Sequence, residues 1–340
     1  MKKLLIIISI FTIQFSILNS EDTWIKTYDP FYGDTYDVED VVVCSDGGYA
    51  INGYYDYSDF TWEEHWGFLI KTDSEGNLLW AKADTVSFQY ENESLAFVET
   101  SDGGFISAVS GGNLIKRDVN GNREWVINGD FGINSMCNTD DGNIILGGAQ
   151  NLNIGLRKID EEGIILWTQV YPIENSYTIC NSIIQTADGG YALIGYIDYF
   201  EPNGDFDVFI MKTDAYGDSL WTKIIDGYGN SDGIDISRSI IENNEGEFFV
   251  SGYFESSNRT YYGFLIKLSS DGDLVFLLNE ETSNDYYLFI SMVESKMILH
   301  YCHIIMKVKI NGALCCLSDH PWETGAYKKL IQVLFFVQGV

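Results

Sequence analysis

The sequence predicts an all-β fold, a β-propeller of about six four-stranded blades. Three observations predict it: a ten-residue pattern that usually ends in tryptophan, an Asp-Gly-Gly pattern that alternates with it, and apolar runs between the two that do not alternate with polar residues. The first pattern, KTDSEGNLLW at 71–80, returns as KRDVNGNREW at 116–125, KIDEEGIILW at 158–167 and KTDAYGDSLW at 212–221. A looser copy is KLSSDGDLVF at 267–276, and KVKINGALCC at 307–316 keeps the lysine and the glycine. Lys71, Lys116, Lys158, Lys212, Lys267 and Lys307 are 45, 42, 54, 55 and 40 residues apart, a period that suits a four-stranded blade and not a shorter solenoid repeat.

Between these copies fall CSDGGYAINGY at 44–54, TSDGGFISAVS at 100–110, TDDGNIILGG at 139–148, TADGGYALIGY at 186–196 and NNEGEFFVSGY at 243–253, with VESKMILHY at 293–301 as a degraded sixth. Glycine between two apolar runs marks a hairpin turn, because it takes positive φ without steric cost. Each unit therefore supplies two hairpins. In the first unit we read strands at 38–44, 49–54, 67–72 and 78–82. Runs such as Val41-Val42-Val43, Phe68-Leu69-Ile70 and Phe248-Phe249-Val250 call for sheets buried on both faces. Stacked blades meet that demand; an array of β-sandwiches, whose sheets each show one face to water, is the alternative architecture. The segment Trp24–Tyr28 matches a fourth strand with no first three before it, and pairing it with the last unit would close the ring and remove exposed sheet edges.

Composition agrees. Of 340 residues 46% are hydrophobic and 15% aromatic, enough for a large core, and 33 glycines against 4 prolines suit many tight turns. The formal charge of −30 excludes nucleic acid and anionic lipid as expected partners, since both recruit clustered Lys and Arg. Lys2 and Lys3, the apolar run from Leu4 to Leu18 and the Asn19-Ser20 junction before Glu21 have the order of a secretory signal. Residues 1–20 are thus expected to be a signal peptide, 21–318 the repeat domain and 319–340 a tail without assignment. The mature chain is expected outside the cell, secreted or at the cell surface, as a monomer with no membrane span. Cys44, Cys137, Cys180, Cys302, Cys315 and Cys316 occupy unlike places in the repeat, so mostly free, buried thiols are expected.

The alternation of GFLIKTD-x-x-G-x-x-x-W with DGGY-x-x-x-GY resembles the secreted bacterial β-propeller repeat proteins found among surface proteins with C-terminal sorting domains. The resemblance covers roughly residues 22–316 and implies an extracellular propeller, without specifying an activity. The chain departs from it at the end: after about residue 296 the acidic bias fades, three of the four histidines appear, and no sorting-type sandwich follows.

Candidate sites follow from hairpin parity. In a meander of strands A to D, the A–B and C–D turns share one side, while the B–C loops and the connections to the next blade share the other. The first side holds the tight repeated turns, so the length variation that accommodates function falls on the second. There, residues 55–66 join strands B and C of the first unit with Tyr57, Trp62 and Trp66; Tyr199 and Phe206 belong to the fourth and Tyr261 to the fifth. Aromatic rings beside carboxylates suit carbohydrate stacking or a protein interface. The repeated Asp73, Asp118, Asp160 and Asp214 read as turn-capping residues, and Trp80, Trp125, Trp167 and Trp221 as packing between blades. Asp34, Asp37, Asp40, Asp232 and Asp235 lie on the connections of the variable side, where a structural Ca²⁺ is conceivable, although no ligand set of defined spacing is present and no cofactor is expected.

The chain carries no G-x-S-x-G, H-E-x-x-H or phosphate-loop motif, and His65 is the only histidine before residue 300. The expected function is non-catalytic binding of a protein or glycan by the variable-loop face. A polysaccharide-active hydrolase or lyase using carboxylates on that face, and a structural cell-surface spacer, are the alternatives.

Overall fold

The computed structural model describes residues 24–31, 35–59, 62–84, 94–174, 176–199, 206–226, 234–255, 261–281, 288–293, 296–301, 305–310, 313–318 and 331–337. The expected signal peptide lies outside them. Among the described residues every regular element is a strand, apart from one short 3₁₀ turn at Ser110–Gly112.

Five consecutive antiparallel meanders follow the repeat. Blade 1 consists of β2 (Thr35–Val43), β3 (Tyr49–Asp59), β4 (Trp62–Thr72) and β5 (Leu78–Asp84). Blade 2 has β6 (Ser94–Glu99), β7 (Phe105–Val109), β8 (Asn113–Arg117) and β9 (Arg123–Ile127). Blade 3 has β10 (Gly132–Asn138), β11 (Ile144–Gln150), β12 (Asn153–Ile159) and β13 (Ile165–Val170). Blade 4 has β14 (Ser176–Gln185), β15 (Tyr191–Tyr199), β16 (Phe206–Thr213) and β17 (Ser219–Ile225). Blade 5 has β18 (Ile234–Glu242), β19 (Phe248–Glu255), β20 (Tyr261–Leu268) and β21 (Leu274–Glu281), and one parallel bridge, Phe206 to Ile234, ties it to blade 4. The first strands β2, β6, β10, β14 and β18 each lie beside the next, which makes them the inner strands of a propeller.

The core sits in slices between the sheets, as the unbroken apolar runs require. Ile144 and Leu146 on β11 pack toward blade 2 with Ile106 and Leu114, whereas Ile145 between them packs toward blade 4 with Leu193 and Phe209. A further slice joins Ile194 and Ile210 of blade 4 to Phe248, Val250 and Ile266 of blade 5. The middle strands of blades 3 and 4 thus bury both faces against different blades, which a sandwich array does not do. The outer strands differ: Leu79, Leu166, Leu220 and Val275 are exposed, because no further strand covers that edge.

Each inner strand bends at a β-bulge in the same place, at Glu39, Leu95, Asn134, Asn181 and Arg238. The glycine near the end of β15 serves this bend. A Cβ on Gly195 would stand 1.6 Å from the Ile179 carbonyl oxygen, so only glycine lets β15 approach the bent inner strand.

Two differences from the sequence reading concern strand extent and the last unit. Residues 55–66, read as a loop, are mostly paired strand, with Tyr55 opposite Trp66 and Asp59 opposite Trp62, because alternating aromatic and polar residues suit a two-sided ribbon. The sixth unit does not repeat the meander. Its β22 (Leu288–Val293) and β23 (Lys296–Tyr301) pair only with each other, and β24 (Ile305–Ile310), β25 (Ala313–Ser318), β26 (Ile331–Val337) and β1 (Trp24–Tyr28) form a separate four-stranded sheet. The strand following 313–316 is therefore β26, from a segment without assignment in the sequence, and β1 pairs with β26 at the outer edge.

Candidate functional site

The side of the tight turns is committed to structure. In the A–B turns, the acid of the Asp-Gly-Gly pattern accepts from the lysine of the other repeat: Lys71 Nζ lies 2.8 Å from Asp46, Lys116 2.8 Å from Asp102 and Lys158 2.6 Å from Asp141. Lys212 pairs with Asp188, and Glu247 does the same for Lys267 at 2.6 Å. The ammonium groups of Lys71 and Lys116 are almost wholly buried, and their partners' carboxylates face water. Burial opposes ionisation of Asp102 and Asp188, but the lysine and the Thr100 or Thr186 hydroxyl outweigh it and hold both down to about 2. The C–D aspartates cap their own turns: Asp73 Oδ1 accepts from the N–H groups of Glu75 (3.0 Å) and Asn77 (2.7 Å). The tryptophans reach the next blade, with Trp80 Nε1 donating to the Val119 carbonyl and Trp221 Nε1 to that of Ser270, over the positive-φ glycine Gly272.

The opposite side carries the long hairpins, and its chemistry is uneven. Blades 1, 4 and 5 place Tyr54, Tyr196 and Tyr253 directly after the glycine that meets the bent inner strand in blade 4; blades 2 and 3 place Ser110 and Ala149 there and have short connections. In blade 1, Phe31 stacks on Tyr55 with centroids 4.8 Å apart, and Trp66 is half-buried on the strand opposite. In blade 4, Phe206 meets Tyr196 edge-on at 5.2 Å, and Tyr199 is half-buried at the end of β15. Blade 5 adds Tyr253 and Tyr262, while Phe254 and Phe264 stack at 4.3 Å inside the core. The backbones of Tyr57 in β3, Trp62 in β4 and Tyr261 in β20 are in strands, and their side chains lie outside the described residues.

No family model matches the chain. Nor does any curated protein match it. Among solved structures it is similar to a protein of unknown function from Bacteroides caccae (12% identity over 72% of this chain and 82% of that one, TM-score 0.43). It is also similar to BamB from Moraxella catarrhalis (14%, 88% and 83%, TM-score 0.42) and Sqt1 from Chaetomium thermophilum (10%, 92% and 100%, TM-score 0.45). Likeness at this level bears on no site, and the site is argued from the chain's own residues.

Sequence reading singled out the aromatics of this side and overlooked its one exposed arginine on an inner strand bulge, Arg238. Its guanidinium carbon lies 5.6 Å from the centroid of the Tyr253 ring. The signal that would have found it is its place in the bulge, which the sequence does not display. Three carboxylates also converge at the junction of blades 4 and 5. Oxygens of Asp207, Asp226 and Asp235 lie within 4.8 Å of one another, the first and last buried and Asp226 exposed. Asp235 was among the acids noted on the connections; pairing it with Asp207 needed the bridge between β16 and β18. Oxygen donors of this kind suit a hard cation such as Ca²⁺.

Elsewhere on the inner strands, burial pushes the Asp40 carboxyl up to about 7, against the Val41 N–H that it accepts from, and with the Glu39 charge adding to the rise. The thiols of Cys44, Cys137 and Cys180 are free, and burial pushes all three up to about 12, which makes them inert at neutral pH. Cys302, Cys315 and Cys316 have side chains outside the described residues. No helix among the described residues is long and apolar enough to cross a membrane.

Proposed function

We propose that the chain is an exported, monomeric, non-catalytic β-propeller of the secreted bacterial repeat type, that β1 closes its ring, and that it binds a protein or glycan through the long-hairpin face. One observation carries the binding reading: half-buried aromatic side chains gather on that face in blades 1, 4 and 5, and the turn face carries a repeated set of turn caps and ion pairs instead. Rings held half-open by a rigid sheet offer apolar area at little entropic cost, which suits sugar faces and protein hot spots alike. A glycan array read with the 21–340 protein tests it. Binding that Trp66→Ala reduces supports the reading, and binding insensitive to every change on that face removes it.

The enzyme alternative draws on Asp40, a carboxyl held near 7 beside Glu39. Release of reducing ends from polysaccharides, abolished in Asp40→Asn, would replace binding by hydrolysis. A structural Ca²⁺ belongs to the same reading. Three converging acids are not by themselves a site, so thermal melts in EDTA and in Ca²⁺ decide it: a rise in Tm with Ca²⁺ that Asp226→Asn loses supports the ion, and equal melts dismiss it.

A further inference from the structure

We infer that the junction of blades 4 and 5 is a subsite for a carboxylated sugar, a single uronate unit or chain end, with Arg238 as the group that takes the carboxylate. The inference rests on the binding reading above and names its ligand class.

Arg238 is the bulge residue of β18, exposed, in a chain with 50 acidic and 20 basic residues. The other bulges carry Glu39, Leu95, Asn134 and Asn181, so the cation belongs to one blade and not to the repeat. The backbone beneath it is fixed from both sides. Asn181 Nδ2 of blade 4 donates to the Ser237 carbonyl at 2.8 Å, and the buried Ser237 hydroxyl donates to the Gly195 carbonyl at 2.7 Å. Among the described residues the guanidinium has no ion pair; the contact it makes is with the face of Tyr253. Its donor edge is left for something else.

The surroundings specify what that is. Burial, the dominant effect, pushes the Tyr196 hydroxyl up to about 12, and its electrical surroundings comprise Tyr177, Arg238, Asp198 and Tyr253. Three half-buried tyrosines from two blades thus share one neighbourhood with the guanidinium, and Phe206 fixes the Tyr196 ring. A guanidinium presents paired N–H groups that match a carboxylate, and tyrosine faces accept the C–H face of a pyranose. A ligand with both features in one residue is a uronic acid. The chain's net charge of −30 repels a polyanion at long range, which favours one carboxylate at a time.

The test is titration calorimetry of the 21–340 protein with a disaccharide ending in glucuronate and with the same disaccharide ending in glucose, repeated on Arg238→Gln and Tyr253→Ala. The expected result is about tenfold tighter binding of the uronate by the parent protein, a preference that Arg238→Gln abolishes with neutral-sugar affinity unchanged, and loss of both affinities in Tyr253→Ala. Equal affinity of the parent protein for the two sugars, or a preference that survives Arg238→Gln, overturns the inference while leaving glycan binding intact. Absence of binding to either disaccharide overturns it too; a glycan-array signal lost in Trp66→Ala would then show that the broader reading still stands. Arg238 is exposed, so its replacement leaves the fold in place, and an unchanged Tm verifies that.

Discussion

Asp40 and the hairpin aspartates titrate in opposite senses, and each sense has its own pH window. Burial raises the Asp40 carboxyl from 3.8 to about 7, so the unfolded chain gives up that proton first and stability falls as pH rises from about 4 to about 7. At about 1.4 kcal/mol per unit, Asp40→Asn should stabilise the protein by ~2–4 kcal/mol at pH 8 and hardly at pH 4, which melts at the two pH values will check. Asp102 and Asp188 are held at about 2, below their unfolded value of 3.8, so their contribution is complete above about 4 and is lost as pH falls toward 2. Because these carboxylates face solvent, each pair is worth only about 1 kcal/mol. Lys116→Met should flatten part of the acid limb between pH 4 and 2 and leave the slope above pH 5 unchanged. The recurrence of both partners was legible in the sequence. That they are partners was not, because the lysine and the acid are 14 residues apart in the Asp102 to Lys116 copy but 25 in the Asp46 to Lys71 copy, and only the sheet register makes the two distances equivalent.

At the scale of the element, the hairpin glycines divide into two kinds that substitution separates. Gly189 has φ +82° and open space around it, so Gly189→Ala should cost about 1 kcal/mol through backbone strain alone. Gly195 meets the Ile179 carbonyl, so Gly195→Ala should cost about 3 kcal/mol or more and open the join between β15 and β14. Urea midpoints of the two variants, compared with the parent, test the ranking; equal losses would refute the close-approach account. The turns were readable from Asp-Gly-Gly and from the tryptophan pattern, since both follow from backbone chemistry local to a few residues. The strands at 55–66 were harder to read, since Asp and Glu among the aromatics imitate a loop while their register makes a ribbon. The bulges were not readable at all, because an extra residue in one strand shows only against its partner.

Across the whole molecule, five blades were legible because each carries both repeats, and the pairing within the last unit was not, because its glycines and tryptophan have decayed; the placing of Trp24–Tyr28 with that unit was legible, and the strand pairs there with β26. Tyr28 of β1 donates to the Gly76 carbonyl at 2.7 Å, as Tyr171 after β13 does to Gly217, so β1 stands toward blade 1 as a fourth strand stands toward the following blade. Deletion of residues 1–31 should therefore lower the Tm by several degrees and promote association through the uncovered β26 edge, read by calorimetry and light scattering. The aromatic candidates were visible from the composition of the segments read as loops, whereas Arg238 and the trio of Asp207, Asp226 and Asp235 depend on the meeting of two blades. The central claim is that binding belongs to the long-hairpin face. It is tested most directly by a polysaccharide and glycan-array screen of the parent protein, of a Trp62→Ala, Trp66→Ala variant, and of a turn-face control, Glu75→Ala with Glu162→Ala. The account predicts binding that the hairpin-face variant loses at least tenfold and the control retains; binding lost only in the control, or no binding by the parent protein, would contradict it.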